Sequence, residues 1–169
     1  MVTRRKSWRE KLADDKDLPK VITLSPSQRK RWGGRTMVIA TPREVDAIIR
    51  KIPRGRTATI NDLRARLAKQ HGTDTACPIT TGIFSWIAAH AAAEDEAVGK
   101  KRITPWWRVL KSDGKLNPKY PGGVEEQRKR LRAEGAAALP IRPPNQRRGS
   151  ESSSKAPTNS IVRGSRTPE

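Results

Sequence analysis

Several features that are common in enzymes and secreted proteins are scarce or missing in this sequence of 169 residues. The single cysteine, Cys77, excludes an internal disulfide framework and agrees with a reducing compartment. One cysteine and two histidines make no metal-ligand pattern, so we expect no metal ion. Phosphate-binding loops, serine nucleophile motifs and convincing carboxylate pairs are also missing, and we therefore expect no cofactor.

Long apolar runs are missing as well. No stretch approaches the roughly 20 residues of a membrane-spanning helix. The charged start from Met1 to Arg9 is not followed by the apolar core of a signal peptide. We therefore expect a cytoplasmic, monomeric protein without membrane contact, associated with the nucleoid if its source is bacterial.

Acidic residues are few compared with basic ones. Asp and Glu total 17 against 36 Lys and Arg, which gives a formal net charge of +19. Such an excess is most simply matched by a polyanion, and nucleic acid is the first candidate. The alternative is a basic chain that is merely soluble and binds anions weakly.

The composition divides the chain into three segments, all of them basic. Residues 1–36 predict a basic N-terminal extension, and residues 37–135 predict a folded domain. Residues 136–169 are rich in Ala, Pro, Arg and Ser, which predicts a disordered basic tail. The length leaves room for one modest core, which we place in the middle segment.

The N-terminal extension has some structural signals of its own. A short helix is predicted around Trp8 to Leu12, and an extended piece at Val21 to Leu24. Two interpretations stay open. The extension either packs onto the folded domain through Trp8 or Trp32, or it contacts DNA as an arm.

Four helices are predicted in the folded domain. The first begins at Thr41-Pro42-Arg43-Glu44, which combines an N-cap residue, a proline at the first helical position and a glutamate at the third. It stops at Ile52-Pro53-Arg54-Gly55. The second runs from the cap Thr59 to Gln70, and the last from Val124 to Glu134.

The third helix starts near Pro78 and has two distinct faces. The apolar face, which we expect in the core, carries Ile79, Ile83, Trp86 and Ile87. The opposite face offers the small residues Thr80, Thr81, Gly82 and Ser85. Small residues let a helix approach phosphates, and hydroxyls can bond to DNA. They also line ordinary helix packing, so both interpretations stay open.

The order of these elements predicts the fold class. Two short helices and a compact turn before a third indicate a helix-turn-helix. Arg108-Val109-Leu110 followed by Lys111-Ser112-Asp113-Gly114 predicts an extended segment entering a turn, as in the wing of a winged helix. We therefore expect a mainly α fold with a small β wing. Basic residues in loops near the third helix suit phosphate contacts: Arg54, Arg56, Lys100, Lys101, Arg102, Lys111 and Lys115.

Trp106 and Trp107 are adjacent, so in an extended segment their side chains point in opposite directions. A tryptophan pair is explained by core burial. It is also suited to stacking on a nucleobase, which contributes roughly 1–3 kcal/mol per base.

Cys77 precedes the third helix, where a thiol can become reactive, but neither His71 nor His90 is an obvious base partner. A cysteine-dependent enzyme is therefore a remote interpretation.

Several motifs in sequence order resemble the methylguanine-DNA methyltransferases. Their active-site segment has Pro-Cys-His-Arg-Val, then Ser-x-Gly, then Tyr-x-Gly-Gly, and residues 105–123 match it with Trp106 at the cysteine and Trp107 at the histidine. Residues 52–55 are similar to the family's Ile-Pro-x-Gly, and residues 133–135 to its end. A tryptophan in place of the nucleophile is similar to the alkyltransferase-like proteins, so the resemblance implies a protein that is not an enzyme.

The resemblance implies binding of duplex DNA containing 6-O-alkylguanine, through the minor groove, with rotation of the damaged base into a pocket and hand-over to excision-repair proteins. The implied pocket has Trp106 in place of the nucleophile, Tyr120 and Pro121 as a lid and Arg108 as a brace. Its full set is Trp106, Trp107, Arg108, Tyr120, Pro121 and Gly122. The implied DNA contacts are Arg54, Arg56, Thr59, Ile60, Thr80, Thr81, Gly82, Ser85, Lys111 and Ser112.

The chain departs from the family where the base would be rotated. Ile60 matches a family tyrosine that helps to rotate the phosphate, and Ile79 or Thr80 matches an arginine that fills the gap in the base stack. The alternative function is therefore a general DNA-binding or regulatory protein that keeps the scaffold and flips no base.

Overall fold

The computed structural model describes residues 3–136, so the tail predicted for residues 136–169 lies outside the described residues from position 137 onward. Within residues 3–136 the secondary structure elements follow one another in this order: α1 (Trp8–Leu12), β1 (Lys20–Thr23), α2 (Pro26–Trp32), β2 (Thr36–Ile39), α3 (Pro42–Arg50), β3 (Ala58–Thr59), α4 (Ile60–His71), β4 (Thr75–Ala76), α5 (Pro78–Ala97), a 3-10 turn (Trp106–Arg108), β5 (Val109–Leu110) and α6 (Gly123–Ala133).

The strands form two small sheets. One has the order β1-β2-β4, in which β1 runs antiparallel to β2 and β2 runs parallel to β4. The other is a parallel pair in which Ala58 of β3 lies opposite Val109 of β5. About half of the described residues are helical. The prediction of a mainly α fold with a small β component is therefore confirmed.

The helix starts follow from local sequence. At the start of α3 the Thr41 hydroxyl accepts the N–H of Glu44 (3.1 Å), and the Glu44 carboxylate accepts the N–H of Thr41 (2.8 Å). Thr59 and Asp62 make the same reciprocal pair at the start of α4. Each pair satisfies backbone amides that have no partner inside the helix. The predicted starts of these two helices are confirmed.

The core lies between α3, α4 and α5 and the short strands. Its buried side chains come from every part of the domain, and they include Val38, Ile49, Leu63, Leu67, Ala88, Ala89 and Trp106. Helix α5 contacts α1, α3 and α4, so it is the central element of the packing. The alanines of α5 permit these close contacts because they have no side-chain atoms beyond Cβ.

The N-terminal extension packs onto the domain. The Trp8 ring stacks on His90 (centroids 4.5 Å apart) and meets Trp86 edge-on (4.6 Å). The Glu94 carboxylate accepts the N–H groups of Trp8 and Arg9, each at 3.0 Å. Of the two interpretations left open by the sequence, packing through Trp8 is the one that the structure supports.

The segment predicted as a wing is mostly turn. Arg108 belongs to the 3-10 turn, and β5 is only two residues long. A tight turn follows, in which the N–H of Lys111 donates to the carbonyl of Lys115 (2.9 Å). None of the helices within residues 3–136 combines the length and the apolarity needed to cross a membrane.

Candidate nucleic-acid interface

The segment from α4 to α5 has the compact geometry expected of two helices joined by a short turn. Helix α4 ends at Gly72, whose φ of 64° lies in the left-handed region that favours glycine. After β4, Pro78 occupies the first turn of α5, where a missing N–H costs nothing. The Arg64 side chain spans the turn by donating to the carbonyl of Ala76 (2.8 Å).

The core prediction for the apolar face of α5 was wrong for two of its residues. Ile79 and Ile83, which were expected in the core, are 60% and 45% exposed, whereas Trp86 is half-buried and packs against the core. For the opposite face the sequence left helix packing and DNA contact open, and Thr81 and Ser85 are 2% and 0% exposed, as packing requires. The physical reason is that α5 is packed through its narrowest face, where small residues permit close contact with neighbouring helices.

The buried hydroxyls of α5 are already satisfied by the helix itself. Thr81 donates to the carbonyl of Cys77 (2.7 Å), and Ser85 donates to the carbonyl of Thr81 (2.8 Å). Neither side chain has surface with which to contact DNA. Thr80 and Gly82, which are half-buried, remain available from the predicted set on this helix.

The exposed face of α5 lines a shallow groove, called here the α5 groove. Its lining residues are Ile79, Gly82, Ile83, Trp86, Asn117 and Lys119, and its volume is about 390 Å³. The Trp86 indole N–H donates to the carbonyl of Lys119 (3.0 Å), which holds the 117–119 segment beside the helix. No motif in the sequence indicated a binding site at this groove. Its signal was the Ile79-Ile83-Trp86 spacing, which had been attributed to the core.

Some of the predicted phosphate contacts lie at the end of the β3–β5 pair where α4 and the turn after β5 begin. Strands β3 and β5 are parallel, so their carboxyl ends point the same way and place the start of α4 beside the turn that follows Leu110. The exposed Lys111 and Ser112 follow β5 at this end, whereas the exposed Arg54 and Arg56 precede β3 and lie at the opposite, amino end of the strand pair. Within residues 3–136, Arg54 and Arg56 make no ion pair, and Lys111 lies 3.8 Å from Asp113.

Two other predicted DNA contacts have structural roles. Thr59 is 8% exposed, and its hydroxyl serves as the cap of α4. Ile60 is half-buried and packs against the core. Among the other loop cations, Lys100, Lys101, Arg102 and Lys115 are exposed, and Lys100 pairs with Asp95 (3.0 Å).

The predicted base pocket around Trp106 is closed. Trp106 is 1% exposed and belongs to the core, and Tyr120 is 3% exposed. Both Trp107 and Tyr120 meet the Trp106 ring edge-on, with centroids 5.8 Å apart in each case. Burial raises the pKa of the Tyr120 hydroxyl above its ordinary value. Neither ring offers open surface to a ligand in this structure, and their assignment to a base pocket stays a prediction.

Two of the remaining predicted pocket residues, Trp107 and Arg108, belong to a hydrogen-bonded cluster around Glu134. Arg108 donates two hydrogen bonds to the Glu134 carboxylate (2.6 and 3.0 Å) and one to the carbonyl of Ile52 (2.6 Å). The Trp107 indole N–H also donates to Glu134 (3.0 Å), as does the N–H of Gly55 (3.3 Å). Burial alone would raise the pKa of Glu134, but these bonds hold it below its ordinary value. Arg108 thus joins three distant parts of the chain.

Gln127 supports the same segment from inside, although the sequence analysis did not single it out. Its side chain is fully buried. The amide donates to the carbonyls of Trp107 (3.2 Å) and Val109 (2.8 Å), and its oxygen accepts the N–H of Asn117 (2.8 Å). Of the predicted lid, Pro121 is half-buried and Gly122 is exposed. Gly122 precedes α6 with a φ of 74°.

The described residues offer no cysteine–histidine pair. Cys77 is half-buried at the start of α5. His71 contacts the Glu44 carboxylate (2.6 Å), and His90 contacts the carbonyl of Lys119 (3.1 Å). Within residues 3–136 no group of three His, Cys, Asp or Glu side chains is placed to hold a metal ion.

A basic domain with two successive helices, an exposed apolar helix face and exposed loop cations has the features expected of a DNA-binding domain. The family model described as "6-O-methylguanine DNA methyltransferase, DNA binding domain" matches residues 40–136, more than half of the chain. The protein is therefore a member of this family. No curated protein and no solved structure is significantly similar to the chain.

Proposed function

We propose that this protein binds duplex DNA and recognises 6-O-alkylguanine without removing the alkyl group. The observation that carries the proposal is Trp106 at the position that matches the family's nucleophilic cysteine. An indole ring is not a nucleophile, and this one is buried in the core. Transfer needs an accessible thiolate, usually activated by a neighbouring base. Here the matching histidine is replaced by Trp107, whose N–H is bonded to Glu134.

Duplex binding would use α4, β4 and α5 as a helix-turn-helix and the turn after β5 as a wing. Lys111 is exposed at the carboxyl end of the β3–β5 pair, and Arg54 and Arg56 are exposed before β3, at its amino end; all three can meet backbone phosphates. Such contacts position a protein on the duplex without reading its sequence. Affinity should therefore fall steeply as salt rises.

Lesion recognition would use the α5 groove rather than the position of Trp106. The groove is open, and two isoleucines and Trp86 give it an apolar wall. Rotating a base out of the stack costs a few kcal/mol, which the site must offset through stacking and edge contacts. Trp86 can supply stacking, and the exposed Lys119 beside it can meet a phosphate.

The second candidate is a general duplex DNA binder that flips no base. The burial of Trp106 and Tyr120 favours it, because the family's pocket position is filled by the protein's own side chains. The half-buried Ile60, which stands in place of a rotating tyrosine, favours it as well.

Fluorescence anisotropy with two otherwise identical duplexes, one carrying a single 6-O-methylguanine, separates the two candidates. Binding to the lesion that is tighter by about tenfold, or about 1.4 kcal/mol, is expected for the sensor and should disappear in Trp86→Ala. Equal affinities that depend on salt would favour the general binder. Salt-insensitive binding would contradict both.

Alkyl transfer to the protein is tested by intact-mass measurement after incubation with the damaged duplex. We expect no mass increase. Cys77→Ser is the control, because Cys77 is the chain's only thiol. An increase that this substitution abolishes would refute the non-enzymatic proposal.

A further inference from the structure

A second open cleft shares Trp86 with the α5 groove. This α1 cleft has a volume of about 480 Å³, and its principal lining residues are Arg5, Lys6, Trp8, Lys11, Trp86 and Glu94. Trp86 lines both the α1 cleft and the α5 groove, so the two are neighbours on the surface. The α1 cleft is built largely by residues that precede Ala40, where the match to the family begins.

The α1 cleft is cationic. Three basic side chains line it against one carboxylate, that of Glu94. Both carboxylate oxygens of Glu94 already accept backbone N–H groups at the start of α1, so this charge is occupied within the protein. Lys6 is paired with Asp14 (2.6 Å). Within residues 3–136 the exposed Arg5 makes no ion pair or side-chain hydrogen bond, which leaves its guanidinium available for an external anion.

The cleft is also fixed relative to α5. The Trp8 ring is held between His90 and Trp86, and the Lys11 ammonium lies 3.9 Å from the centroid of Trp8. Arg9 pairs with Asp95 of α5 (3.0 Å). These contacts hold α1, and with it the Trp8 and Lys11 wall of the cleft, against α5, so the cleft beside Arg5 is largely formed before a ligand arrives, which favours binding.

We propose that the α1 cleft binds a backbone phosphate of the same duplex that contacts the α5 groove, with Arg5 as the principal phosphate ligand. The N-terminal segment then extends the DNA interface beyond the region shared with the family. This inference rests on the proposed binding of duplex DNA, but it is independent of lesion recognition. A guanidinium suits this role because its planar donors match phosphate oxygens.

The test compares three variants of the full-length protein on an undamaged duplex across a series of salt concentrations. Arg5→Ala removes the proposed contact, and Arg5→Lys keeps the charge. Lys30→Ala is the matched control, because Lys30 is an exposed cation of the same N-terminal extension that lines neither the α1 cleft nor the α5 groove. The measured quantities are the dissociation constant and the slope of log affinity against log salt.

Loss of one phosphate contact should reduce the steepness of that slope by about 0.9 and weaken binding roughly five- to tenfold near 0.1 M salt. We expect this result for Arg5→Ala, a near-normal slope for Arg5→Lys, and no change for Lys30→Ala. An unchanged slope in Arg5→Ala would overturn the inference, and so would equal losses in Arg5→Ala and Lys30→Ala. If the unmodified protein does not bind duplex DNA, the proposed function itself fails, which is a distinguishable outcome.

Discussion

The protein has two aromatic clusters that differ in exposure and in surroundings. In the first, Trp106 and Tyr120 are buried in the core and meet edge-on. In the second, Trp8 and Trp86 line open clefts beside exposed cations. The first cluster occupies the family's active-site segment, whereas the second is partly built from residues that precede the family match.

The comparison shows that a residue can match a functional motif and yet be closed to a ligand. Trp106 stands where the motif comparison predicts the nucleophile, yet its ring fills the core and contributes to stability. Trp86 matched no functional residue, yet its ring is shared by two clefts. A motif position therefore does not by itself indicate which side chains are open to a ligand, since a fold and its site can change independently.

Replacement of Trp106 should have the largest effect on stability. Removing a fully buried tryptophan leaves a cavity, so Trp106→Ala should lose about 3–5 kcal/mol of unfolding free energy. Chemical denaturation measures this loss, and Trp106→Phe offers a milder variant if alanine prevents folding. Trp8→Ala in the open cluster should lose clearly less. Equal losses would contradict the assignment of the first cluster to the core.

Neutralising Glu134 should have the next largest effect. Hydrogen bonds to a charged group contribute about 1.5–3 kcal/mol, so Glu134→Gln should be destabilised by about that amount at neutral pH. The pKa of Glu134 is held below its ordinary value of 4.5 in the folded protein. Its contribution is therefore complete above that value and is lost as the pH falls through the lower, folded-state pKa.

Chemical denaturation of the unmodified protein and of Glu134→Gln, between neutral and acid pH, measures the contribution of the Glu134 charge to stability. The difference in stability between the unmodified protein and Glu134→Gln should shrink as the solution becomes acid, because the native carboxylate is then neutral too. A difference that stays constant over the whole range would rule out a role for the charge. Glu125→Gln is the matched control on α6, because Glu125 is exposed and pairs with Arg128 three residues away.

A smaller effect is expected from Trp86→Phe, which keeps an aromatic ring but loses the donor to the carbonyl of Lys119. One such hydrogen bond contributes about 0.5–1.5 kcal/mol. We expect a loss in that range and a weaker preference for the lesion duplex, because the 117–119 wall of the α5 groove loses one of the bonds that hold it beside the helix. Normal binding together with normal stability would show that this bond is dispensable.

The smallest effect on stability is expected from Ile79→Ser. Exposed substitutions usually change stability by less than about 0.5 kcal/mol, and Ile79 is 60% exposed. Duplex binding should nevertheless weaken, because the apolar wall of the α5 groove is reduced. Val98→Ser is the matched control, since Val98 is 71% exposed and lies outside that groove. If both variants bind alike, Ile79 does not contribute to the interface.

Helix starts could be predicted from the sequence because their causes are local. Thr41 with Glu44, and Thr59 with Asp62, satisfy their own amides over three residues. The faces of α5 could not be predicted in this way. The isoleucine spacing gives the stripe correctly, but the side that is buried depends on which helices pack against it. Here the alanines of α5, among them Ala88 and Ala89, lie in the core, whereas Ile79 and Ile83 stay exposed.

The candidate site was predicted in part for a similar reason. The motif match placed Arg108 in the right segment, but its partners Glu134 and Ile52 lie far away in the chain and are known only from the fold. The burial of the Trp106 ring depends on how neighbouring side chains fill the space around it. A sequence motif does not specify those neighbours. The basic residues of loops were easier to predict, because charge keeps Arg54 and Arg56 at the surface.

Strand β2 belongs to the folded core but lies before the segment that matches the family. The family match begins at Ala40. Immediately before it, Met37 and Val38 are almost fully buried, and they pair with Thr75 and Ala76 of β4 inside the matched region. A polypeptide cut at the family boundary would therefore lack one wall of its own interior. The segment that matches the family therefore depends for its packing on residues that precede it.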